Sequence, residues 1–318
     1  MRVRLLDRAV YVLGRAAIGA AARVPQWLGY GAAAALGRLY FRCSRRRRAC
    51  ALRFLRAAYP DRPDAELLRL ARVATGNVFK VPIDMAKLTR LLARGGDVRS
   101  VVDVSEVEGL LPRPPYLAVS AHVGSWEVAA AAMAKLAGGA HAIARVFRNP
   151  LLQRWILANR ERGGLHIHPR RGGVRGLAAG VEAGAVGLQV VDQHQRLRGV
   201  VAPFFGRLAS CERAAASLAL RHGYPVVVGG AVRVGGGFRF RMVWAPMLLT
   251  TRTGERAADL QHTVAQINER LETLIREAPD QYLWIHDRYR VPPEARVAAS
   301  RRIDDVVDDP VDDAGNDE

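Results

Sequence analysis

Short strand-like runs alternate with helix-like segments through most of the chain after residue 96, and this alternation constrains the fold more than any other feature. The strand-like runs are rich in valine and other apolar residues and cover residues 101–104, 116–119, 142–147, 187–191 and 225–234. Helix-like segments stand between them, at residues 128–136, 151–162 and 211–222. Strands that alternate with helices predict an α/β fold with a mixed, largely parallel sheet flanked by helices.

A last amphipathic helix is expected to cover one face of this sheet. Near the end of the chain, apolar residues recur every three or four positions, namely Leu260, Val264, Ile267, Leu271, Leu274 and Ile275. That spacing places the apolar side chains on one side of a helix, which is typical of a helix packed on a core.

The first 48 residues are expected to form a separate helical segment that associates with a membrane. Two apolar runs, at residues 10–22 and 24–41, are each interrupted by an arginine, so neither is a clean span of ~20 apolar residues. Four consecutive arginines follow at residues 45–48, a pattern typical of contact with anionic headgroups on the cytoplasmic side. The pattern favours a membrane anchor, either spanning or monotopic, and the alternative is a buried helical hairpin.

The remainder of the chain is expected to divide into a catalytic domain and a tail. The domain, residues 49–302, has a helical lead-in at residues 49–95 and an α/β core at residues 96–295. Residues 303–318 contain eight acidic residues and no basic ones. So acidic a segment buries too little apolar surface to fold, and we expect it to be disordered.

The net charge of +18 at pH 7 indicates an acidic partner, because a charge this large is more than solubility requires. Nucleic acid, anionic lipid and an acidic protein are the three candidates. A basic nucleic-acid-binding protein is the competing function class. It is disfavoured, since the chain has no recognised nucleic-acid-binding module and no aromatic residues interleaved with its basic segments.

The most informative local feature is a histidine that directly follows an apolar strand-like run. His122 stands where such a strand ends, and the carboxyl ends of strands in an α/β sheet border the ligand crevice. Glu127 stands five residues later, in the first turn of the next helix, and a turn between them could bring its carboxylate onto the imidazole. A histidine oriented by a carboxylate is a general base. Because the chain has no G-x-S-x-G elbow, direct attack by a substrate hydroxyl that His122 activates fits best.

The segment H-V-G-S-W-E at residues 122–127 resembles the H-x4-D/E motif of glycerolipid-type acyltransferases, and more specifically that of the bacterial lipid A biosynthesis acyltransferase family. Five further segments resemble blocks of that family in the same order: R-V-F-R-N-P at 145–150, R-E-R-G at 160–163, V-D-Q at 191–193, G-V-V-A-P-F-F-G at 199–206 and Q-Y-L-W-I-H-D-R-Y at 281–289. The resemblance covers roughly residues 5–295, and the ordered set is more specific than any single block. One departure is Ser125, where the family usually has asparagine.

The resemblance implies an O-acyltransferase that moves a fatty acyl chain from an acyl carrier protein thioester to a hydroxyl of a glucosamine-based lipid A precursor. His122 would be the general base together with Glu127. The implied location is the bacterial inner membrane, with the catalytic domain facing the cytoplasm, and no metal or cofactor is implied. An acidic carrier protein and an anionic glycolipid both suit the basic chain. The alternative acceptor is another membrane glycolipid, such as a phosphatidylinositol mannoside.

The matched blocks also supply candidate substrate-binding residues, which are Arg145, Asn149, Arg160, Asp192, Gln193, Phe204, Phe205 and Gly206. Attack on a thioester places negative charge on the carbonyl oxygen, and some donor must stabilise it. We expect that donor to be a backbone N–H near Gly124 or the guanidinium of Arg160 or Arg145. Of the two arginines, Arg160 is expected to affect turnover more, and Arg145 to affect binding more.

Overall fold

The computed structural model describes residues 4–144, 146–170, 172–196 and 199–289. Five helices come first, α1 to α5, at Leu5–Ala21, Gln26–Cys43, Arg45–Ala58, Asp64–Val78 and Val81–Ala93. Five more helices, α6 to α10, follow at Trp126–Leu136, Pro150–Arg162, Gly173–Glu182, Ala214–His222 and Arg256–Glu277. Two short 3-10 turns lie at Val98–Ser100 and Pro279–Gln281. The predicted acidic tail and Arg145 lie outside the described residues.

Seven strands form the main sheet. They are β1 to β5 at Val102–Asp103, Leu117–Ser120, Ala140–Ala144, Leu165–Pro169 and Val186–Val190, together with β8 at Val226–Arg233 and β9 at Phe240–Leu248. Their order across the sheet is β1-β9-β8-β2-β5-β3-β4. All neighbours are parallel except β8 and β9, which are antiparallel. The predicted mixed, largely parallel sheet flanked by helices is therefore confirmed.

Two strands form a separate antiparallel hairpin, which the alternation of the sequence does not predict. They are β6 at Val200–Phe204 and β7 at Arg207–Cys211. The segment expected to be helical from residue 211 therefore begins its helix only at Ala214, where α9 starts. Asn268 of α10 donates a hydrogen bond of 2.6 Å to the Pro203 carbonyl oxygen, which fixes the hairpin to that helix.

The sheet is covered on both faces, and the core has two parts as a result. On one face, α10 buries Val264, Ile267, Leu271 and Leu274 against the sheet, as the spacing of the sequence predicts. On the other face, α6 packs on the central strands, and α5 packs against α6. Strand β2 lies in the middle of the sheet, and all four of its residues are buried.

The N-terminal helices differ in how they contact the body. No residue of α1 is buried, whereas α2 buries Tyr30, Ala34 and Phe41. The Tyr30 hydroxyl donates a hydrogen bond of 2.7 Å to Asp84 on α5, and Asp84 also pairs with Arg233 of β8. Across the described ranges, no helix combines the length and apolar character needed to cross a membrane.

Candidate active site

His122 lies at the carboxyl end of β2, as predicted, in the loop that joins this strand to α6. The neighbouring strands β5 and β8 end at the same edge of the sheet, because both run parallel to β2. The His122 side chain is 18 % exposed, so solvent or a ligand can still reach its ring. A histidine at this edge is placed to meet a ligand.

The carboxylate that contacts His122 belongs to Asp192, which follows β5. Its Oδ1 lies 2.6 Å from His122 Nδ1, and its Oδ2 accepts a hydrogen bond of 3.0 Å from the His122 backbone N–H. Burial opposes ionisation of Asp192, but the His122 ring and these hydrogen bonds together hold its pKa below the usual value. Asp192 is therefore an ionised carboxylate that fixes both the ring and the backbone of His122.

This geometry determines the hydrogen position on a neutral His122 ring. A carboxylate only accepts hydrogen bonds, so Nδ1 carries the hydrogen and Nε2 keeps its lone pair. The amide nitrogen of Gln193 lies 3.4 Å from Nε2. Gln193 is exposed and this contact is long, so a substrate hydroxyl can displace the amide and meet the lone pair. The arrangement is that of a general base.

Glu127 does not make the contact with His122 that the sequence suggests. Its two carboxylate oxygens accept hydrogen bonds from Arg160 of α7, at 2.7 Å from Nη2 and 3.1 Å from Nε. The reason is helical geometry, because consecutive helical residues point about 100° apart. Trp126 lies against the His122 ring, with the ring centroids 4.9 Å apart, and Glu127 consequently faces α7.

The Glu127–Arg160 pair is part-buried and bidentate, with the side chains 10 % and 20 % exposed, respectively. Burial lowers the pKa of Arg160, but the Glu127 carboxylate outweighs it and the net shift is upward, so the guanidinium stays charged. A forked pair of this kind is strong and directional. It ties the first turn of α6 to the last turn of α7, immediately beside the His122 loop.

The remaining candidate residues of the matched blocks lie apart from His122. Asn149 caps α7, since its side chain accepts from the Leu151 and Leu152 backbone N–H groups. Phe204 and Phe205 are buried in an aromatic cluster around Phe54. Their contacts in the described parts of the chain therefore indicate packing.

The turn between β6 and β7 contains Gly206, which has a φ of +70°. A positive φ suits glycine because it has no Cβ, so the turn itself accounts for this residue.

The segment from Gln281 to Tyr289, which sequence reasoning did not assign to the site, pairs with the His122 loop. Leu283 N–H donates to the His122 carbonyl oxygen at 3.2 Å, and Gly124 N–H donates to the Gln281 carbonyl oxygen at 3.0 Å. The Gly124 N–H therefore already has an acceptor, so an oxyanion donor near His122 would have to be another backbone N–H of this loop or one of the two arginines. The sequence signal for this segment is the matched block at residues 281–289. The block does not indicate the pairing with residue 122, because the two segments lie far apart in the chain.

Gly124 has a backbone conformation that the site requires. Its φ is +59°, and a Cβ on it would overlap the Ala231 carbonyl oxygen of β8. Only glycine accepts both the positive φ and this close approach. The turn that presents His122 consequently depends on the residue type at position 124.

Two further side chains surround the Asp192 carboxylate. The Tyr282 hydroxyl hydrogen-bonds to it, and burial together with Asp192 holds the pKa of Tyr282 well above its usual value. His286 Nε2 accepts a 3.0 Å hydrogen bond from the His194 backbone N–H, and burial lowers the pKa of His286 to about 4. His286 is therefore neutral at pH 7. In the described part of the chain, no group of three ligand-type side chains is arranged around a metal position.

Comparison with known proteins identifies one family. A family model described as bacterial lipid A biosynthesis acyltransferase matches residues 1–291. No curated protein matches the chain. Among solved structures, the crystal structure of the 1-acyl-sn-glycerophosphate acyltransferase PlsC from Thermotoga maritima is similar over 75 % of this chain and 97 % of that chain, at 13 % identity and a TM-score of 0.31.

Proposed function

Since the chain belongs to the bacterial lipid A biosynthesis acyltransferase family and is an O-acyltransferase, we propose that it uses His122 to activate a hydroxyl of a glucosamine-based lipid A precursor. The acyl donor in this proposal is an acyl carrier protein thioester. The observation that carries the proposal is the 2.6 Å contact between His122 Nδ1 and the buried Asp192 carboxylate.

The reaction proceeds by direct attack. His122 Nε2 takes the proton from the acceptor hydroxyl while the hydroxyl oxygen attacks the thioester carbonyl carbon. The tetrahedral intermediate then collapses, the carbon–sulfur bond breaks, and the imidazolium returns the proton to the departing thiolate. Asp192 keeps Nε2 directed at the hydroxyl and stabilises the positive ring, which is the role predicted for Glu127 from the motif.

Glu127 has a positioning role in this proposal. Its bidentate pair with Arg160 holds the start of α6, and with it the Trp126 ring that lies against His122. Two of the guanidinium nitrogens of Arg160 are occupied by Glu127. We therefore expect Arg160 to stabilise the oxyanion less than its motif position suggests.

The charge and surface of the chain suit the proposed substrates. The net charge of +18 favours encounter with an acidic carrier protein and with an anionic glycolipid. The outer surfaces of α1 and α2 expose large apolar side chains, including Leu5 at 85 % and Trp27 at 74 %. Exposed arginines, Arg8 and Arg15, stand on the same helix as Leu5. Such a surface binds at the headgroup boundary of a membrane.

We further propose that the protein works at the cytoplasmic surface of the bacterial inner membrane, with its catalytic domain facing the cytoplasm. Liposome flotation tests this part with Leu6→Glu and Trp27→Glu. Both side chains are exposed, so the fold should survive while binding to anionic vesicles falls. Unchanged flotation of the double variant would show that this surface does not bind lipid.

The substrate proposal is tested with purified full-length protein in detergent. Acyl carrier protein thioesters and the coenzyme A thioester are each offered with two acceptors, a glucosamine-based lipid A precursor and phosphatidylinositol mannoside. Mass spectrometry of the lipids should reveal one added acyl chain on the lipid A precursor. Acylation of the mannoside alone would reassign the acceptor, and turnover with coenzyme A alone would reassign the donor.

A further inference from the structure

The turn that carries His122 lies against a second segment, residues 281–283, which runs antiparallel to it. Val123 and Tyr282 form a β-bridge between the two segments. Backbone hydrogen bonds of 3.2 and 3.0 Å flank this bridge. These contacts fix residues 122–124 relative to residues 281–283. The groups that anchor residues 281–283 to the body of the protein therefore also determine where His122 lies.

The side chain of Gln281 anchors this segment to the end of β8. Its Oε1 accepts a 2.8 Å hydrogen bond from the Arg233 backbone N–H, and its Nε2 donates one of 3.1 Å to the Arg233 carbonyl oxygen. An amide offers an acceptor and a donor at fixed positions, so these two bonds permit one orientation of the side chain. Arg233 ends β8, the strand beside β2. Gln281 thus joins the segment to the centre of the sheet.

A buried ion pair holds Arg233 in turn. Its guanidinium pairs with the Asp84 carboxylate of α5 and also donates a 2.8 Å hydrogen bond to the Gly237 carbonyl oxygen. The Asp84 side chain is fully buried, and that of Arg233 is 6 % exposed. Removing one partner of such a pair leaves an uncompensated charge in the interior, so the paired arrangement is strongly favoured. The residue that Gln281 binds is consequently fixed through its side chain as well as through its strand.

Tyr30 of α2 completes this set of contacts. Its hydroxyl donates a 2.7 Å hydrogen bond to Asp84, and its ring faces the Arg233 guanidinium, with the Cζ atom 4.5 Å from the ring centroid. A cation over an aromatic ring is attracted to it. A continuous series of contacts, the Tyr30–Gln281 chain, therefore runs from α2 through Asp84 and Arg233 to the segment beside His122.

We propose that the Tyr30–Gln281 chain positions His122 for proton transfer, an inference that rests on the proposed function. Two of its members, Gln281 and Asp84, are positioning residues that act through the backbone beside His122 and not by contact with substrate. Asp192 orients the imidazole from β5, and the chain fixes the turn from β8. A reacting group displaced by about 1 Å can lower the rate ~10²-fold.

Gln281→Leu tests the link to the His122 turn. Leucine has nearly the size of glutamine, but it makes neither hydrogen bond to Arg233. With both substrates saturating, kcat should fall by ~10²-fold. KM for each substrate should stay close to the wild-type value, because the change acts on the general base and not on substrate binding. A rise in KM with kcat retained would mean that Gln281 binds substrate, and it would overturn the positioning role.

Gln261→Leu is the matched control. Gln261 is half-buried like Gln281, and its Nε2 donates a 3.0 Å hydrogen bond to the Val201 carbonyl oxygen. The same amide is thus removed at a contact between α10 and β6 instead of at β8. We expect this variant to keep the kcat and KM of the wild type. An equal fall of kcat in both variants would show that general loosening lowers the rate, and it would overturn the assignment.

A double-mutant cycle tests whether Asp84 acts through Gln281. Asp84→Asn keeps the shape of the side chain but removes the charge that pairs with Arg233, and kcat should fall. Combined with Gln281→Leu it should lower kcat no further, because the segment beside His122 is then no longer anchored to Arg233. An unchanged kcat in Asp84→Asn, or losses that multiply in the double variant, would overturn the role of Asp84. Should Asp84→Asn not fold, Tyr30→Phe removes the outermost hydrogen bond with a smaller change, and the same outcomes decide.

Amide hydrogen exchange gives a readout that does not depend on turnover. The Gly124 N–H donates to the Gln281 carbonyl oxygen, so it should exchange faster in Gln281→Leu than in the wild type or in Gln261→Leu. Unchanged exchange would overturn the inference at any level of activity. If the wild type transfers acyl chains but Gln281→Leu keeps its kcat, the positioning role fails while the proposed function stands. If the wild type transfers no acyl chain, the proposed function fails, and positioning for proton transfer fails with it.

Discussion

Asp192→Asn is the substitution that separates the two candidate partners of His122. The amide has nearly the shape of the carboxylate, but it has one acceptor and one donor where Asp192 has two acceptors. Asp192 accepts from the His122 backbone N–H and from Nδ1. An asparagine can satisfy only one of these contacts.

Each orientation of the amide damages the site. If its oxygen accepts from the backbone N–H, its NH2 group faces Nδ1, and the hydrogen of the ring moves to Nε2. A protonated Nε2 cannot accept the hydroxyl proton. If the amide is reversed, two N–H donors face each other at the His122 backbone. A carboxylate-to-amide change of this kind lowers kcat by ~10⁴-fold where the histidine is a general base.

The matched control is Glu127→Gln, which makes the same chemical change at the carboxylate paired with Arg160. We expect it to lower kcat much less than Asp192→Asn, because Glu127 acts only by holding α6. Both variants are assayed for turnover with saturating donor, and circular dichroism confirms folding. A larger loss in Glu127→Gln than in Asp192→Asn would refute the assignment and restore Glu127 as the partner of His122.

Three further predictions concern the surroundings of the dyad. Arg160→Ala leaves the part-buried Glu127 carboxylate unpaired and should lower the free energy of unfolding by about 1–3 kcal/mol, measured by denaturant titration. A change near zero would mean that water replaces the guanidinium. Gly124→Ala should lower the free energy of unfolding by at least about 1–3 kcal/mol and reduce turnover, because alanine meets both the positive φ and the Ala231 carbonyl oxygen. A variant with the stability of the wild type would contradict this. Burial lowers the pKa of His286 to about 4 in the folded protein, whereas an unperturbed histidine has a pKa of ~6.5. As the pH falls below ~6.5, the unfolded chain therefore binds this proton while the folded protein does not. Stability is then full above pH ~6.5 and decreases by roughly 3 kcal/mol towards pH 4, and His286→Gln should flatten this part of the profile.

The position of His122 could be predicted from the sequence, because a local rule determines it. An apolar run gave β2, and the residue after a central parallel strand lies at the ligand edge of the sheet. The same kind of rule gave α10, whose apolar spacing is long and regular. Both predictions used residues close together in the chain.

The partner of His122 could not be predicted in this way. Asp192 contacts His122 because β5 pairs with β2, and nothing in the local sequence reports which strands become neighbours. Glu127 was the nearer carboxylate in sequence, but the turn of α6 directs it to Arg160. The family block that contains Asp192 marked the residue as part of the site without giving its contact.

The hairpin of β6 and β7 was missed for a related reason. The segment at 211–222 has a helix-like composition, but its first residue, Cys211, pairs with Val200 across the hairpin. Burial of the hairpin against α10 outweighs local propensity there. Pairing between distant segments therefore determines both the partner of His122 and the start of α9, which the local sequence pattern does not indicate.

His122→Ala tests most directly whether His122 is the general base of acyl transfer. The measurement is kcat for transfer from an acyl carrier protein thioester to the glucosamine-based lipid, with purified protein whose folding is verified by its melting curve. We expect kcat to fall by ~10²–10⁴-fold while the fold is retained. Turnover at the wild-type rate by the folded His122→Ala protein would contradict it.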